Sequence, residues 1–285
     1  MYTLIVENAY GEQLELSNNP RYSITGITGL SPADAQINLT KNAGFDGSTY
    51  NSSYVGERTI SITMRINSPA EENRILLYKY FKTKSPVKLY YKNGVRDVYI
   101  NGYVQSEPIS MFDTKPKEIA QISILCPQPY FVRTDDDLQT FSGVEPLFEF
   151  PFSIPETGQS FSEIIILQEQ DVYNYGDVEV GCIFDIHAVG NVTYPKIYNS
   201  VTQEHMYINQ SMVAGDTIRI NTIRGQKSIW MVDHDNVKTN IIGKFVSGST
   251  WLQLAPGDNL LIVDANAHPE NMVVYVTTIN HYEGV

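Results

Sequence analysis

Apolar and polar residues alternate with a period of two along most of the chain, which is the pattern of half-buried β-strands. In "ERTISITMRI" (57–66), Ile60, Ile62 and Met64 face one side and the intervening Ser and Thr residues face the other. "VKLYYKNGVRDVYING" (87–102) contains two such runs around Asn93-Gly94, the pair favoured in tight type I′ turns. The pattern therefore predicts a β-rich first half that contains a hairpin at 93–94.

The segment "QISILCPQPYF" (121–131) predicts a strand with an abrupt end. Its alternating residues lead to Cys126, after which Pro127 and Pro129 cannot donate hydrogen bonds to a neighbouring strand. Tyr130 and Phe131 follow as candidate anchors against the core. We interpret this segment as the exit from a first domain that spans residues 1–135.

One helix is predicted, over residues 68–84. Ser68 is the expected N-cap, Pro69 the first helical residue and Glu71 the partner that closes a capping box. The residues of its apolar stripe, which would pack on the sheet, are Leu76, Leu77, Tyr80 and Phe81. The first domain is thus predicted to be a β-sheet with one crossing helix.

The alternation fades over residues 136–162, where prolines and phenylalanines indicate a stiff linker. Short strands separated by turn signals such as "AGD" and "APGDN" then recur over residues 163–285. No helical pattern follows residue 84, so this part is predicted to be an all-β sandwich or jelly roll. The expected fold class is mainly β, in two domains joined by the linker.

The charge is unevenly distributed between the two halves. Residues 1–140 carry 14 Lys and Arg against 15 Asp and Glu, whereas residues 141–285 carry 6 against 17. An acidic second half argues against binding to nucleic acid or to anionic lipid, because both need a cationic surface. A near-neutral first half suits a surface that packs against copies of itself.

Sequence motifs for chemistry are missing. The phosphate-loop, dinucleotide and nucleophile-elbow patterns do not occur, and Asp233-His234-Asp235 is better explained as a hairpin tip than as a metal site. Cys126 and Cys182 lie in strand-like runs and are expected to be buried free thiols. The sequence predicts neither a catalytic site nor a cofactor or metal site.

The beginning of the chain, "MYTLIVENAYGEQ", lacks the positive leader of a signal peptide. No apolar run approaches the roughly 20 residues that a membrane-spanning helix needs. We therefore expect a protein that is made and used in solution, without a membrane partner.

Several motifs resemble the distal tail protein (Dit) family of long-tailed bacteriophages. In that family a Gly-x-x-Gly loop leads into an Arg-bearing strand, then a helix, then a strand that closes in Cys-Pro-x-Pro-Tyr-Phe. The matching residues here are Gly44, Gly47, Arg58, Cys126, Pro127, Pro129, Tyr130 and Phe131. The segments 177–199, 212–229 and 248–263 are similar to the galectin-like C-terminal domain of the same family.

The resemblance implies a structural virion protein. Its members form a homo-hexameric ring at the distal end of the tail tube, with the C-terminal domains projecting outward. One face of the ring meets the tail-tube protein, and the other meets the tail-tip hub (tail-associated lysin) and its fibres. Some members also grip a receptor-binding protein with a long inserted arm, for which the short turns here leave little room. The implied location is the tail tip of the virion, after synthesis in the host cytoplasm.

Two other classes of function stay open at this point. The β-sandwich with Trp230 and Trp251 is compatible with a carbohydrate-binding adhesin, although "HMYIN" and "WMVDHD" match neither galectin sugar-binding motif. An enzyme such as a glycosidase would need two carboxylates that face one groove. The main prediction is a non-enzymatic ring component.

Overall fold

The chain divides into two compact units. Unit 1 comprises Met1–Thr134 and His281–Val285, and unit 2 comprises Asp135–Asn280. The structure, a computed structural model, describes residues 2–44, 46–110, 118–135, 137–140, 142–146, 162–166 and 169–285. The predicted class, mainly β with one helix and antiparallel sheets in two regions, is confirmed.

Unit 1 is built on a ten-stranded antiparallel sheet and a separate two-stranded hairpin. Its strands are β1 (Thr3–Glu7), β2 (Gln13–Glu15), β3 (Tyr22–Thr28), β4 (Ala35–Lys41), β5 (Ser48–Val55), β6 (Arg58–Ile66), β7 (Pro86–Lys92), β8 (Asp97–Ser106), β9 (Ile109–Ser110), β10 (Glu118–Cys126), β11 (Phe131–Arg133) and, near residue 285, β25 (His281–Tyr282).

The main path of the ten-stranded sheet follows the order β2-β1-β7-β8-β10-β6-β3. β6 and β10 pair along their whole length, and Ile60 lies opposite Ile124 and Ile62 opposite Ile122. These four residues are buried, as the alternation in the sequence predicts. They belong to the hydrophobic core of unit 1, which also includes Leu77 and Phe81.

The described residues contain one α-helix, α1 (Ala70–Tyr80), which is shorter than predicted at both ends. Its N-cap is Pro69, in an extended conformation and without a side-chain capping bond, so the prediction of a Ser68 cap with a Glu71 capping box was wrong. Buried Asn73 secures the first turn instead, because its amide Nδ2 donates to the Asn67 carbonyl over 2.9 Å. Leu77 and Phe81 form the buried part of the predicted stripe.

The hairpin formed by β7 and β8 is present, but its turn differs from the prediction. Lys92 pairs with Asp97, which leaves a four-residue loop at 93–96. The Asn93 side chain accepts bonds from the amides of Val95 (2.8 Å) and Arg96 (2.7 Å). Gly94 is not among the glycines with positive φ, so the type I′ turn predicted at 93–94 was wrong. An Asn side chain that replaces a backbone turn explains this loop.

Unit 2 is a β-sandwich. Its strands are β12 (Asp137–Thr140), β13 (Ser142–Pro146), β14 (Ser162–Ile166), β15 (Glu169–Asn174), β16 (Cys182–Ala188), β17 (Val192–Asn199), β18 (His205–Tyr207), β19 (Ser211–Met212), β20 (Thr217–Asn221), β21 (Ser228–Val232), β22 (Lys238–Asn240), β23 (Gly257–Ala267) and β24 (Met272–Thr278).

Two sheets of unit 2 pack face to face. One has the order β12-β24-β16-β20-β21-β22 and the other has the order β15-β23-β17-β18, with β19 paired to β17. A single core joins them, since Phe184 and Ile220 of the first sheet cluster with Ile197 and Val263 of the second. β13 and β14 pair with each other, and no other strand of the described residues joins them.

The structure also bears on the predicted domain limits. Residues 281–285 were assigned to the second domain from sequence, whereas their contacts place them in unit 1. Most of the predicted linker, residues 136–162, lies outside the described residues. Its described parts include the strands β12 and β13, at 137–140 and 142–146.

A candidate assembly surface on the first unit

The hairpin of β4 and β5 extends from unit 1 without joining the ten-stranded sheet. Every residue of β4 is exposed, and so is every residue of β5 except Val55. Leu39 lies opposite Tyr50, and Ile37 opposite Ser53. Ile37, Leu39 and Tyr50 are 59%, 56% and 59% exposed. Alternation along the strands puts these three side chains on one side, which we call the apolar face of the hairpin.

The opposite side, the polar face of the hairpin, carries amide and hydroxyl groups. The Asn38 amide donates to the Ser52 hydroxyl (3.0 Å). Asn51, the extra residue of a bulge, donates to the Thr40 hydroxyl (2.6 Å). These bonds fix the register of the two strands. The hairpin is therefore amphipathic, with uncharged groups on its polar face.

The predicted Gly-x-x-Gly loop forms the tip of this hairpin. Gly44 has φ +95° and Gly47 has φ +97°, a region that side chains with a Cβ atom rarely adopt. A Cβ atom at either position would meet nothing within 4 Å, so the conformation and not the space requires glycine. Both glycines shape the turn between β4 and β5.

Arg58 holds the base of the hairpin. It is 3% exposed, and its Nη1 donates to the carbonyls of Gly29 (2.8 Å) and Ser31 (2.7 Å). Its Nη2 donates to the carbonyl of Glu283. Burial lowers the pKa of the guanidinium from its ordinary value. One buried cation thus joins the segment before β4 to residues 281–285.

The Cys-Pro-x-Pro-Tyr-Phe segment lies beside this arginine. The Phe131 ring is buried below the guanidinium, with 4.8 Å between the Arg58 Cζ and the ring centroid. Tyr130 stacks on His281 with 5.9 Å between ring centroids. The chain does not leave unit 1 at the prolines, because β11 pairs with both β8 and β25.

Residues 281–285 are held from several directions. The Arg96 Nη1 donates to the Gly284 carbonyl, and its guanidinium lies 4.3 Å from the centroid of the Tyr282 ring. The Val285 amide donates to the Leu30 carbonyl over 3.1 Å. These contacts fix the segment that carries the Glu283 acceptor for Arg58.

A cavity of about 470 Å³ lies at the hairpin base. Its lining includes Asp34, Gln36, Tyr54 and Glu57, together with Arg58. Gln36 and Tyr54 come from the hairpin strands, so the cavity opens where the hairpin meets the sheet. Among the described residues, no group of three or more His, Cys, Asp or Glu side chains is arranged to hold a metal ion.

The structure brings together only some of the residues predicted from sequence. Arg58, Cys126 and Phe131 form one cluster, because Arg58 lies opposite Cys126 in the β6–β10 pair and its guanidinium covers Phe131. Tyr130 stacks on His281 of the adjoining segment. Pro127 is exposed and Pro129 is buried. Gly44 and Gly47 lie at the far end of seven- and eight-residue strands, about 20 Å away by the rise of a strand.

Sequence reasoning missed one glycine at this site. Gly29 has φ +85°, and a Cβ atom there would lie 2.2 Å from the Thr59 carbonyl oxygen. Its carbonyl is also an acceptor for Arg58. The sequence signal was the run "GITGLSP", where a glycine precedes a proline-marked turn.

The side chains weighed as chemical groups have structural positions. Cys126 and Cys182 are buried and free, and burial raises their pKa values to about 11 and about 12. His234 contacts Asp216 at 3.4 Å and lies in the turn between β21 and β22. Of the helices in the described part of the chain, none is long and apolar enough to span a membrane.

Comparison with known proteins gives matches in both units. Residues 10–125 match the family described as "Phage tail protein RIFT-related domain", and residues 175–278 match "Siphovirus-type tail component, C-terminal domain". A search of curated protein sequences found no match.

The fold is similar to that of solved phage proteins. One match is the crystal structure of the SPP1 Dit protein, which is described as a paradigm of the hub adsorption apparatus in phages that infect Gram-positive bacteria. The TM-score is 0.67 and the sequence identity is 10%, over 98% of this chain and 99% of that chain. A chain of the phage P2 baseplate in its activated conformation with Ca has a TM-score of 0.50 and 12% identity over 100% of both chains.

The two family matches and the fold define the class of the protein, which is a structural component of a bacteriophage tail. Within that class, the chain belongs to the Dit family of siphovirus tail components.

Proposed function

We propose that the chain forms a homo-hexameric ring at the distal end of the tail tube and joins the tube to the tail-tip hub. The exposed amphipathic hairpin of β4 and β5 is the observation that carries this proposal. A two-stranded hairpin is marginally stable alone in water, and it needs a third strand or a packing partner. In a ring of identical copies, the neighbouring copy is the packing partner of the hairpin.

In this proposal the apolar face of the hairpin packs on the neighbouring copy. Full burial of a Leu, Ile or similar side chain contributes roughly 1.5–3 kcal/mol, so covering Ile37, Leu39 and Tyr50 in every copy favours a closed assembly. Ring contacts are heterologous, which means that the hairpin meets a different surface on its neighbour. The cavity at the hairpin base is a candidate for that surface.

The ring has two further kinds of partner in this proposal. One side binds the tail-tube protein, and the other binds the tail-tip hub, with its tail-associated lysin and receptor-binding protein. The SPP1 Dit protein, which has a similar fold, is described as a paradigm of the hub adsorption apparatus, and this description supports the arrangement. The role is non-enzymatic, and no nucleic-acid, membrane or cofactor binding is proposed.

The test is electron microscopy of the purified full chain, combined with mass measurement in solution. Six-membered rings with a central hole are expected. Replacing Ile37 and Leu39 together by Ser should abolish them, because the apolar face is lost. The matched control replaces Ile75 and Val95, two exposed apolar residues of unit 1 outside the hairpin, by Ser and should leave rings intact. A monomeric parent protein, or rings that persist in the Ile37/Leu39 variant, would contradict the proposal.

A further inference from the structure

The charges of unit 2 are segregated. Only six Lys and Arg residues follow residue 140, against 17 Asp and Glu. Five of those six cations occur between residues 219 and 244, namely Arg219, Arg224, Lys227, Lys238 and Lys244. That stretch contains two acidic residues, Asp233 and Asp235. Two of its cations are ion-paired with carboxylates outside it, Arg219 with Asp185 and Arg224 with Glu179, and three lysines remain. An acidic unit therefore carries one locally cationic region, on β20, β21, β22 and the adjoining loops.

The outer surface of these strands, which we call the cationic face, combines basic and aromatic side chains. Arg219 lies opposite Trp230 across the β20–β21 pair and donates two bonds to Asp185 (2.6 and 2.8 Å). Its side chain is still 61% exposed. The Lys238 Nζ lies 4.5 Å from the centroid of the Trp230 ring. Arg219, Trp230 and Lys238 thus occupy neighbouring strands of one surface.

The second tryptophan of the chain has a similar environment. The Lys227 Nζ lies 5.5 Å from the centroid of the Trp251 ring, and Trp251 packs 4.8 Å from Phe245. Both tryptophans are therefore accompanied by a lysine. Trp and Arg are the residue types most enriched at the energetic centres of protein interfaces.

The other sheet of the sandwich presents the opposite charge. Its outward residues include four exposed carboxylates, which we call the acidic face: Glu169, Asp171, Asp258 and Asp264. Lys196 lies on the same side, opposite Asp264, and leaves the face with an excess of negative charge. The residues between them, such as Val172 and Val263, point into the core. Because the two sheets pack face to face, the cationic and acidic faces lie on opposite sides of unit 2.

We propose that the cationic face of one copy docks on the acidic face of the next copy, as a second contact in the ring that the proposed function requires. A closed ring of identical subunits needs two different, complementary surfaces on each subunit, and unit 2 carries such a pair. The chain has a formal net charge of −12, so its copies repel one another unless opposite charges are placed together. Charge complementarity would also fix the register of the contact.

The lysines on the indole rings favour an acidic protein surface over a neutral sugar. A stacked sugar needs an open aromatic face, whereas Lys238 and Lys227 lie over the rings of Trp230 and Trp251. A carboxylate surface would pair with these ammonium groups and leave the cation–π contacts in place. The acidic face of a second copy has that chemistry.

Zero-length carbodiimide cross-linking of the full chain tests the contact directly. An equal mixture of unlabelled and ¹⁵N-labelled protein distinguishes bonds between copies from bonds within a copy. Mixed-label cross-links that join Lys227 or Lys238 to Glu169, Asp171 or Asp264 are expected at low salt. They should diminish at 1 M salt, where the screening length is about 3 Å. Absence of mixed-label cross-links between these faces would overturn the proposal, whether or not rings form.

Charge reversal sharpens the test. Lys238→Glu removes one cross-linking amine and places a carboxylate opposite the acidic face. The cross-links that remain between the two faces, which start from Lys227, should fall by about tenfold, because like charges then face each other. Combining it with Asp171→Lys should restore them through the exchanged pair. The control is Lys82→Glu, an equal change in charge on an exposed residue of unit 1. Equal cross-linking in the parent, the single variant, the double variant and the control would refute the contact. The proposed function is tested separately, and it stands if rings are lost only in the Ile37/Leu39 variant.

Discussion

The guanidinium of Arg58 lies 4.8 Å from the centre of the buried Phe131 ring, and these two residues begin β6 and β11. Three backbone carbonyls surround the same guanidinium, from Gly29, Ser31 and Glu283. The arginine is therefore the point at which the hairpin base, the Cys-Pro-x-Pro-Tyr-Phe segment and residues 281–285 meet. A cation buried among carbonyl oxygens and an aromatic face is held by charge-assisted hydrogen bonds and a cation–π contact.

Arg58→Met should loosen this junction. It leaves three carbonyls without their donor, and each buried group that loses its partner costs roughly 1–3 kcal/mol. We expect unit 1 to lose about 3–5 kcal/mol of stability, since some of the carbonyls will gain water. Hydrogen exchange at the Val285 amide, which donates to the Leu30 carbonyl, should become faster because this loss of stability makes opening of the segment more frequent.

The matched control for that variant is Arg65→Met. Arg65 lies on the same strand and is exposed. Its replacement should change stability by no more than about 0.5 kcal/mol, as at most surface sites. Equal losses in the two variants, measured by denaturant unfolding, would show that Arg58 does not hold the junction.

Gly29→Ala tests the close approach at the hairpin base. A Cβ atom at this position would lie 2.2 Å from the Thr59 carbonyl oxygen, and the φ angle of +85° is unfavourable for alanine. We expect unit 1 to lose about 2–4 kcal/mol, because backbone atoms on both sides must move. Gly26→Ala is the control, since a Cβ atom at that position meets nothing within 4 Å. Thermal unfolding that ranks the two variants equally would contradict this explanation.

Much of the fold was predictable from sequence because it depends on local periodicity. The alternation in 57–66 identified β6 correctly, since Ile60, Ile62 and Met64 are all buried. The helix was also identified, but its ends were not. Capping depends on the backbone conformation at Ser68 and Pro69, which residue types alone do not determine.

The candidate site was less predictable, for two physical reasons. The alternation of Ile37 and Leu39 resembles that of any half-buried strand, and only the structure shows that no described part of the chain covers them. The return of His281 and Tyr282 to pair with β11 is a contact between distant parts of the chain, and it involves only two residues. A pairing this short leaves no periodic signal.

Glu107 should make the stability of unit 1 depend on pH. Burial raises the pKa of this carboxyl to about 7, and its Oε1 has no hydrogen-bond partner among the described residues. The folded state therefore binds the proton more tightly than the unfolded state, so stability falls as pH rises from about 4.5 to about 7. Glu107→Gln should remove this fall and be more stable than the parent by about 1–2 kcal/mol at pH 8, after allowance for solvent screening.

The measurement for Glu107 is denaturant unfolding at pH 5 and pH 8. The parent should lose stability relative to Glu107→Gln at pH 8 and approach it at pH 5. Glu71→Gln, at an exposed position of α1, serves as the control and should follow the parent at both values. A constant difference between Glu107→Gln and the parent at the two pH values would exclude titration of Glu107 as its cause.

The two cysteines should report separately on the two units. Cys126 belongs to the core of unit 1 and Cys182 to the core of unit 2. Burial raises their pKa values to about 11 and about 12, so at pH 8 about one thiol in a thousand or fewer is ionised, and both are shielded from reagents. Neither should react with a thiol reagent such as Ellman's reagent in the native protein, whereas two thiols per chain should react after denaturation.

In the single variants Cys126→Ser and Cys182→Ser, the remaining thiol should become reactive only when its own unit unfolds. Arg58→Met should therefore expose Cys126 at a lower denaturant concentration and leave the exposure of Cys182 unchanged, and an equal shift at both thiols would show that the two units unfold together.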